Sequence, residues 1–262
     1  MKSKIALFRE LAKLAGPEVV ARSFRDAALR LRGRRGGISQ GGGLRLTTPR
    51  PTLCGVEPSP SWKAPRRLDN SGYITPMESQ GQNPWCAAYG GCALLQASYW
   101  RTFGEELPFD EAACYAECKK VDGSAGDGTT LEAVLFVLGN TDLTGKKIIP
   151  TITEKTIEAT DIPFCIHHYG VAILGLEITE GWRYTKLGGN VGDGTNTIGG
   201  HCVLCSAYDL DAGELWGPNW WGRQWGRDGM WRMTFDQFNA QFFSGFAVDV
   251  QWPTPSASTI HP

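Results

Sequence analysis

The chain has 262 residues, 42% hydrophobic and 20% charged, enough for one large globular domain or two lobes. No apolar run approaches the roughly 20 residues that span a bilayer. The first twenty residues interleave Arg9, Glu10 and Lys13 with apolar positions, unlike a secretory signal. The net charge of −1 conceals an uneven distribution, with residues 1–50 at +9 and residues 51–262 at −10. A basic arm joined to an acidic body either folds back on that body or docks on a polyanion: nucleic acid, a membrane face, a virion component or an acidic protein.

In chain order, Ile5, Leu7, Phe8, Leu11 and Leu14 fall close to a helical period, and Gly16-Pro17 stops it. Val20, Phe24, Ala27, Ala28 and Leu31 form a second amphipathic stripe. Residues 1–37 therefore read as a basic helical arm. Residues 38–61 are rich in glycine and proline and read as a linker or strap. The folded domain is expected over residues 62–252, with 253–262 as a flexible tail.

The stretch from residue 75 to 100, TPMESQGQNPWCAAYGGCALLQASYW, is polar and turn-rich up to Cys86 and helical in pattern beyond it. A second helix is expected around residues 109–120, opened by Pro108 and Asp110. Cys114 and Cys118 share one face of it, and they read as buried thiols because no matching Cys or His pair completes a metal site. A third helix, LEAVLFVLGN, follows a cap at Thr129 or Thr130. From Lys146 onward, KKIIPTITE, IPFCIHHYGVAILGLEI, HCVLCSAYDL, ELWGPNWW and GMWRMTF read as strands of a mostly antiparallel sheet or barrel. A helical half followed by a β half implies an α+β fold with two lobes and a cleft between them. Eight cysteines without a signal segment favour reduced thiols in a cytoplasmic or virion-associated setting.

Cys86 at a helix start is placed where unpaired N–H groups favour a thiolate. Of the four histidines, His261 lies in the tail. His167 and His168 read as structural or surface residues at the start of a strand. His201 follows Gly199 and Gly200 and opens a strand. Asn219 sits among Trp220, Trp221 and Trp225, where its amide needs a partner. Thiol, imidazole and orienting amide form a nucleophile–base–orienter set, expected as an ionised thiolate–imidazolium pair. Gln80 can donate to a developing oxyanion beside the backbone N–H of Cys86.

These motifs resemble the papain-like, cathepsin-like cysteine peptidases. That family's T-P-V, two residues, then Q-G-x-C-G-x-C-W-A-F is similar to T-P-M-E-S-Q-G-Q-N-P-W-C-A-A-Y here, with the Gln-to-Cys spacing kept. Its G-H-A-V is similar to G-G-H-C-V. Its N-S-W-G-x-x-W-G-x-x-G-Y is similar to the N-W-W-G-R-Q-W-G-R-D-G-M that Asn219 opens. The resemblance covers roughly residues 68–252. It implies a helical lobe carrying Cys86, a β-barrel-like lobe, and a peptide or protein substrate without cofactor or metal. It further implies Cys86 as nucleophile, His201 as base, Asn219 as orienter, Gln80 as oxyanion donor and Trp221 as a shield over the His–Asn bond. Trp225 would border the leaving-group side. Gly126, Asp127 and Gly128 would pair with an extended substrate, and Trp85 and Gly200 would line the cleft. Asn83-Pro84-Trp85 departs from the family pattern and lacks its cysteine, and Ala87 replaces its tryptophan. The departures fit a bacterial or phage source. Two other readings share the fold: a structural or docking component of a viral or bacterial assembly, and a cell-wall amide or isopeptide hydrolase.

Overall fold

Gly90 and Gly91 stand side by side in the longest of the described helices, α1 (Cys86–Phe103), and each opens space for a different neighbour. A Cβ at Gly91 would lie 2.3 Å from Val134, and one at Gly90 would lie 2.7 Å from the Cys202 sulfur. The helix is therefore wedged between a second helical element and a strand. This computed structural model describes residues 62–74, 79–123, 125–185, 188–192, 194 and 196–253. The arm at 1–37, the strap at 38–61, Cys54, residues 75–78 and His261 lie outside the described residues.

Two further helices complete the first layer, α2 (Glu111–Asp122) and α3 (Leu131–Leu138). Asp110 caps α2 by accepting from the Ala113 N–H at 2.8 Å, and Thr130 caps α3 through the Ala133 N–H at 3.1 Å. Left-handed glycines at Gly104 and Gly123 end α1 and α2. Cys114 and Cys118 are buried between helices, as their shared face implied. Among the described residues no group of three His, Cys, Asp or Glu has metal-holding geometry, and no helix is long and apolar enough to cross a membrane.

The second layer consists of two antiparallel sheets. One runs β1 (Arg67–Asp69), β5 (Ala207–Asp209), β6 (Glu214–Pro218), β7 (Met230–Thr234). The other runs β2 (Thr151–Thr156), β8 (Phe242–Gln251), β3 (Ala172–Thr179), β4 (Thr197–Cys205). Helix-first, strand-later order and antiparallel pairing make this the expected α+β fold, with β1 as a strand that precedes the helices.

β4 is the common wall. Cys202 and Leu204 enter the core of α1–α3, whereas Val203 and Cys205 enter the core between the sheets, as alternation along a strand requires. Its outer carbonyls accept from indole N–H groups, Cys202 O from Trp220 at 2.9 Å and Leu204 O from Trp231 at 3.1 Å. Gly217 of β6 crosses so close that a Cβ there would lie 2.0 Å from Leu204 O.

Two expectations need correction. IPFCIHHY is not a strand but helix α4 (Ile162–Tyr169), with Pro163 in its first turn and Gly170 ending it. A short, mostly apolar run carries no period that separates a buried helix from a buried strand. His167 and His168 therefore occupy the last helical turn, at the negative end of the dipole. His201 does not open its strand but lies inside β4, which begins at Thr197. The final helix, α5 (Phe235–Gln241), starts at a Thr234–Gln237 capping box.

Gly217→Ala should lower unfolding stability by about 3 kcal/mol or more, since only backbone movement can relieve the clash. Gly72→Ala, with nothing within 4 Å of its Cβ, should be close to neutral. Urea unfolding of both variants measures the difference, and equal midpoints would contradict the close crossing.

Candidate active site

Cys86 is the first residue of α1. The Trp85 N-cap makes no side-chain capping bond, and the first turn holds no acidic residue. The positive helix end thus falls to the part-buried Cys86 side chain. One turn on, Gly90 seats α1 on Cys202, so the sulfur also meets the backbone N–H of Cys202.

The next residue back along β4 is His201, buried against aromatic rings. Its ring centroid lies 5.1 Å from Trp221 and 5.8 Å from Trp182. His201 Nε2 meets Asn219 Oδ1 at 2.7 Å. The same oxygen accepts the Trp220 backbone N–H at 2.8 Å, which fixes the orientation of the amide. Nε2 must therefore carry the proton, and Nδ1 is the basic nitrogen. Asn219 is fully buried, and its Nδ2 has no partner among the described residues.

Gln80 joins this group from the other side. Its backbone N–H donates to Trp220 O at 2.9 Å, and Ser79 bridges Trp221. The lead-in to the thiol is thus paired with the segment that carries the orienting amide. Gln80 Nε2 donates to the Asn83 carbonyl at 2.6 Å, which uses one of its two N–H groups and leaves Oε1 buried with no partner among the described residues. Part of the divergent Asn83-Pro84-Trp85 run therefore holds the glutamine in place.

Burial dominates the electrostatics. It lowers His201 to about 4, against a smaller upward pull from the Asn219 bond. Burial raises Cys86, and the N–H groups of Cys202, Ala87 and Cys86 oppose it only in part. Neither shift favours charge at rest, so desolvation works against the expected ion pair.

The other expected residues sit around this centre. Trp85 packs on Tyr115 of α2, with ring centroids 5.7 Å apart. Gly126 O and Gly128 O both accept from Lys119 Nζ, at 2.8 and 2.9 Å, and the Gly128 backbone also bonds the Tyr115 hydroxyl. Trp225 does not reach the imidazole directly. It stacks on Trp182 at 5.7 Å and donates its indole N–H to Trp182 O at 2.9 Å. Gly200 lies in β4 opposite Glu177. Two cavities, of about 200 and 300 Å³, lie elsewhere, one near Arg101 and Asp249 and one around Trp216.

Sequence reasoning missed Trp182. It is wholly buried, its indole N–H donates to Gln241 Oε1 at 2.7 Å, and it touches Trp221, Trp225 and Trp231. A tryptophan in a short 3₁₀ segment (Glu180–Tyr184) carries no period, so nothing local marks it.

No protein-family profile matches the chain. Solved structures do. Xylellain, a cysteine protease from Xylella fastidiosa, superposes with a TM-score of 0.62 at 17% identity, over 71% of this chain and 87% of that one. Digestive procathepsin L 3 of Tenebrio molitor larval midgut gives 0.61 at 14% identity, over 94% and 99%. Procathepsin B S9 from Trypanosoma congolense gives 0.60 at 14% identity, over 88% and 98%. The chain therefore has the papain-like cysteine protease fold, in a divergent form.

Proposed function

We propose that this chain is a thiol-dependent peptidase that cleaves amide bonds through an acyl-enzyme on Cys86. The observation that carries the reading is the 2.7 Å His201–Asn219 bond, made to an amide oxygen that a second donor already fixes. It reserves Nδ1 for proton transfer. Sγ attacks the carbonyl carbon while its proton passes to His201 Nδ1. The remaining N–H of Gln80 and the backbone N–H of Cys86 hold the oxyanion. The imidazolium returns the proton to the departing amine as the C–N bond breaks, leaving a thioester. Water then gives a proton to His201, adds to the thioester and releases the carboxylic acid and the thiol.

Trp221 keeps water from the His–Asn bond in this reading. Trp225 acts through Trp182 as a positioning residue. The loop of Gly126, Asp127 and Gly128, held by Lys119, is the wall along which an extended substrate pairs in this reading. The seven cysteines among the described residues form no disulfide, in keeping with a reducing compartment.

An epoxysuccinyl inhibitor should label Cys86 in mass spectra, and Cys86→Ala should abolish both labelling and peptide hydrolysis. Wild-type protein that neither labels nor hydrolyses peptides would overturn the reading. Asn219→Ala should cut kcat by about 10- to 100-fold, the worth of a hydrogen bond to a group that becomes charged.

The pKa shifts set the pH profile. A lowered imidazole is neutral, and able to accept a proton, at every pH above about 4. A raised thiol stays protonated through the neutral range. The acid limb of kcat/KM should therefore fall near pH 4, and thiolate absorbance should be absent at about pH 6 to 8 in the free enzyme. Thiolate absorbance at about pH 6 would instead establish a resting ion pair.

A further inference from the structure

One thiol beside the candidate site is left unused by the proposed reaction. Cys202 directly follows His201 in β4 and is 3% exposed. Neighbouring residues of a strand point to opposite faces, so His201 meets the tryptophans while Cys202 enters the helical core. Its sulfur occupies the space that a side chain at Gly90 would need, 2.7 Å from the position of that Cβ.

Gly90 lies four residues after Cys86, on the same face of α1. Side chains of a helix lean toward its N-terminus, so a side chain at position 90 would lean toward the turn that Cys86 begins. The Cys202 sulfur fills that room instead. From the other end, the Cys86 sulfur takes the backbone N–H of Cys202, whose nitrogen is three bonds from the Cys202 sulfur. As the first residue of α1, Cys86 has no preceding turn to restrict its χ1, so its sulfur can swing between strand and cleft. Three other thiols provide a contrast. Cys92, Cys114 and Cys118 touch one another between α1 and α2, yet each is 1% exposed or less. Of the seven described cysteines, Cys86 alone is not buried, so a small oxidant reaches it first.

The geometry points to Cys202 as a resolving thiol: when hydrogen peroxide oxidises Cys86, a Cys86–Cys202 disulfide forms and holds the nucleophile in a reversible, protected state. In the first step the Cys86 sulfur attacks one peroxide oxygen. The S–O bond forms, the O–O bond breaks, and the thiol proton leaves with the departing hydroxide as water. Cys86 is then a sulfenic acid. In the second step the Cys202 sulfur attacks the Cys86 sulfur. The S–S bond forms, the S–O bond breaks, and hydroxide leaves with the Cys202 proton as water. Two thiols and one peroxide give one disulfide and two waters, with the peroxide as the two-electron oxidant. Without the second thiol, more peroxide carries the sulfenic acid to sulfinic acid, which simple thiols do not reduce. The loss of activity in the oxidised state rests on the peptidase reading, whereas the bond itself does not.

Full-length protein is treated with hydrogen peroxide, its remaining thiols are blocked, and the unreduced digest is mapped by mass spectrometry. The peptides of Cys86 and Cys202 should appear joined, and dithiothreitol should separate them. In Cys86→Ala protein, Cys202 should stay a free thiol. In Cys202→Ala protein, Cys86 should become sulfinic acid. Peptide hydrolysis, relative to each protein before treatment, should fall at least about tenfold in both wild type and Cys202→Ala, and dithiothreitol should restore only the wild type, to within about twofold. Sulfinic acid at Cys86 of the wild type, or a disulfide from Cys86 to Cys54, Cys92, Cys114 or Cys118, overturns the resolving role. The wild-type map decides this even where Cys202→Ala protein fails to fold. A Cys86–Cys202 disulfide in protein that hydrolyses no peptide before treatment overturns the peptidase reading and leaves the resolving thiol standing.

Discussion

The site depends on how closely α1 can approach β4. Gly90 lets the helix settle on the Cys202 sulfur, and that contact fixes the height of Cys86 relative to His201, the residue before Cys202. Any larger residue at position 90 would lift the helix by the thickness of a methyl group and carry the thiol away from the imidazole strand. Gly91 does the same work on the other side against Val134, so the helix cannot retreat without opening the helical core. Thiol and imidazole belong to different layers, and their separation is set by two glycines.

The imidazole is held by exclusion of water as much as by hydrogen bonding. Trp182 and Trp221 flank its ring, and Trp225 and Trp231 buttress Trp182. This shell strengthens the Asn219 bond because no water competes for it. It also makes a charged ring costly, which is why burial lowers His201 so far. In the proposed reaction, charge separation is left for the moment when a carbonyl carbon is present to take the sulfur's electrons. Two buried polar atoms without described partners, Gln80 Oε1 and Asn219 Nδ2, sit on the two amides that flank the thiol and the imidazole. Unsatisfied groups of this kind cost about 1–3 kcal/mol each and concentrate where structure serves chemistry.

The proposed four-residue set stands out in the sequence because each member carries local punctuation. Cys86 follows a turn-rich run and begins a helix, His201 follows two glycines, and Asn219 lies among tryptophans. The three helices with a clear start or cap were readable for the same reason. α4 was not, because an apolar run interrupted only by two histidines fits either a helix or a strand. Trp182 was illegible for a deeper reason. Its importance comes from partners 19 or more positions away in the chain. The roles of Lys119 and Tyr115 in shaping the loop at 126–128 were equally hidden, since a lysine and a tyrosine on an exposed helix face look like ordinary surface.

An edge strand ordinarily offers a row of free carbonyls to any extended chain that comes near. In β4 the two that matter, at Cys202 and Leu204, are occupied by indole N–H groups of Trp220 and Trp231. The strand that carries the imidazole is thereby closed to sheet extension at those positions. A second copy of the chain cannot zip onto it through those two carbonyls, and the outward backbone of β4 that lies ahead of them, at Gly200, sits on the side of the imidazole away from the indoles.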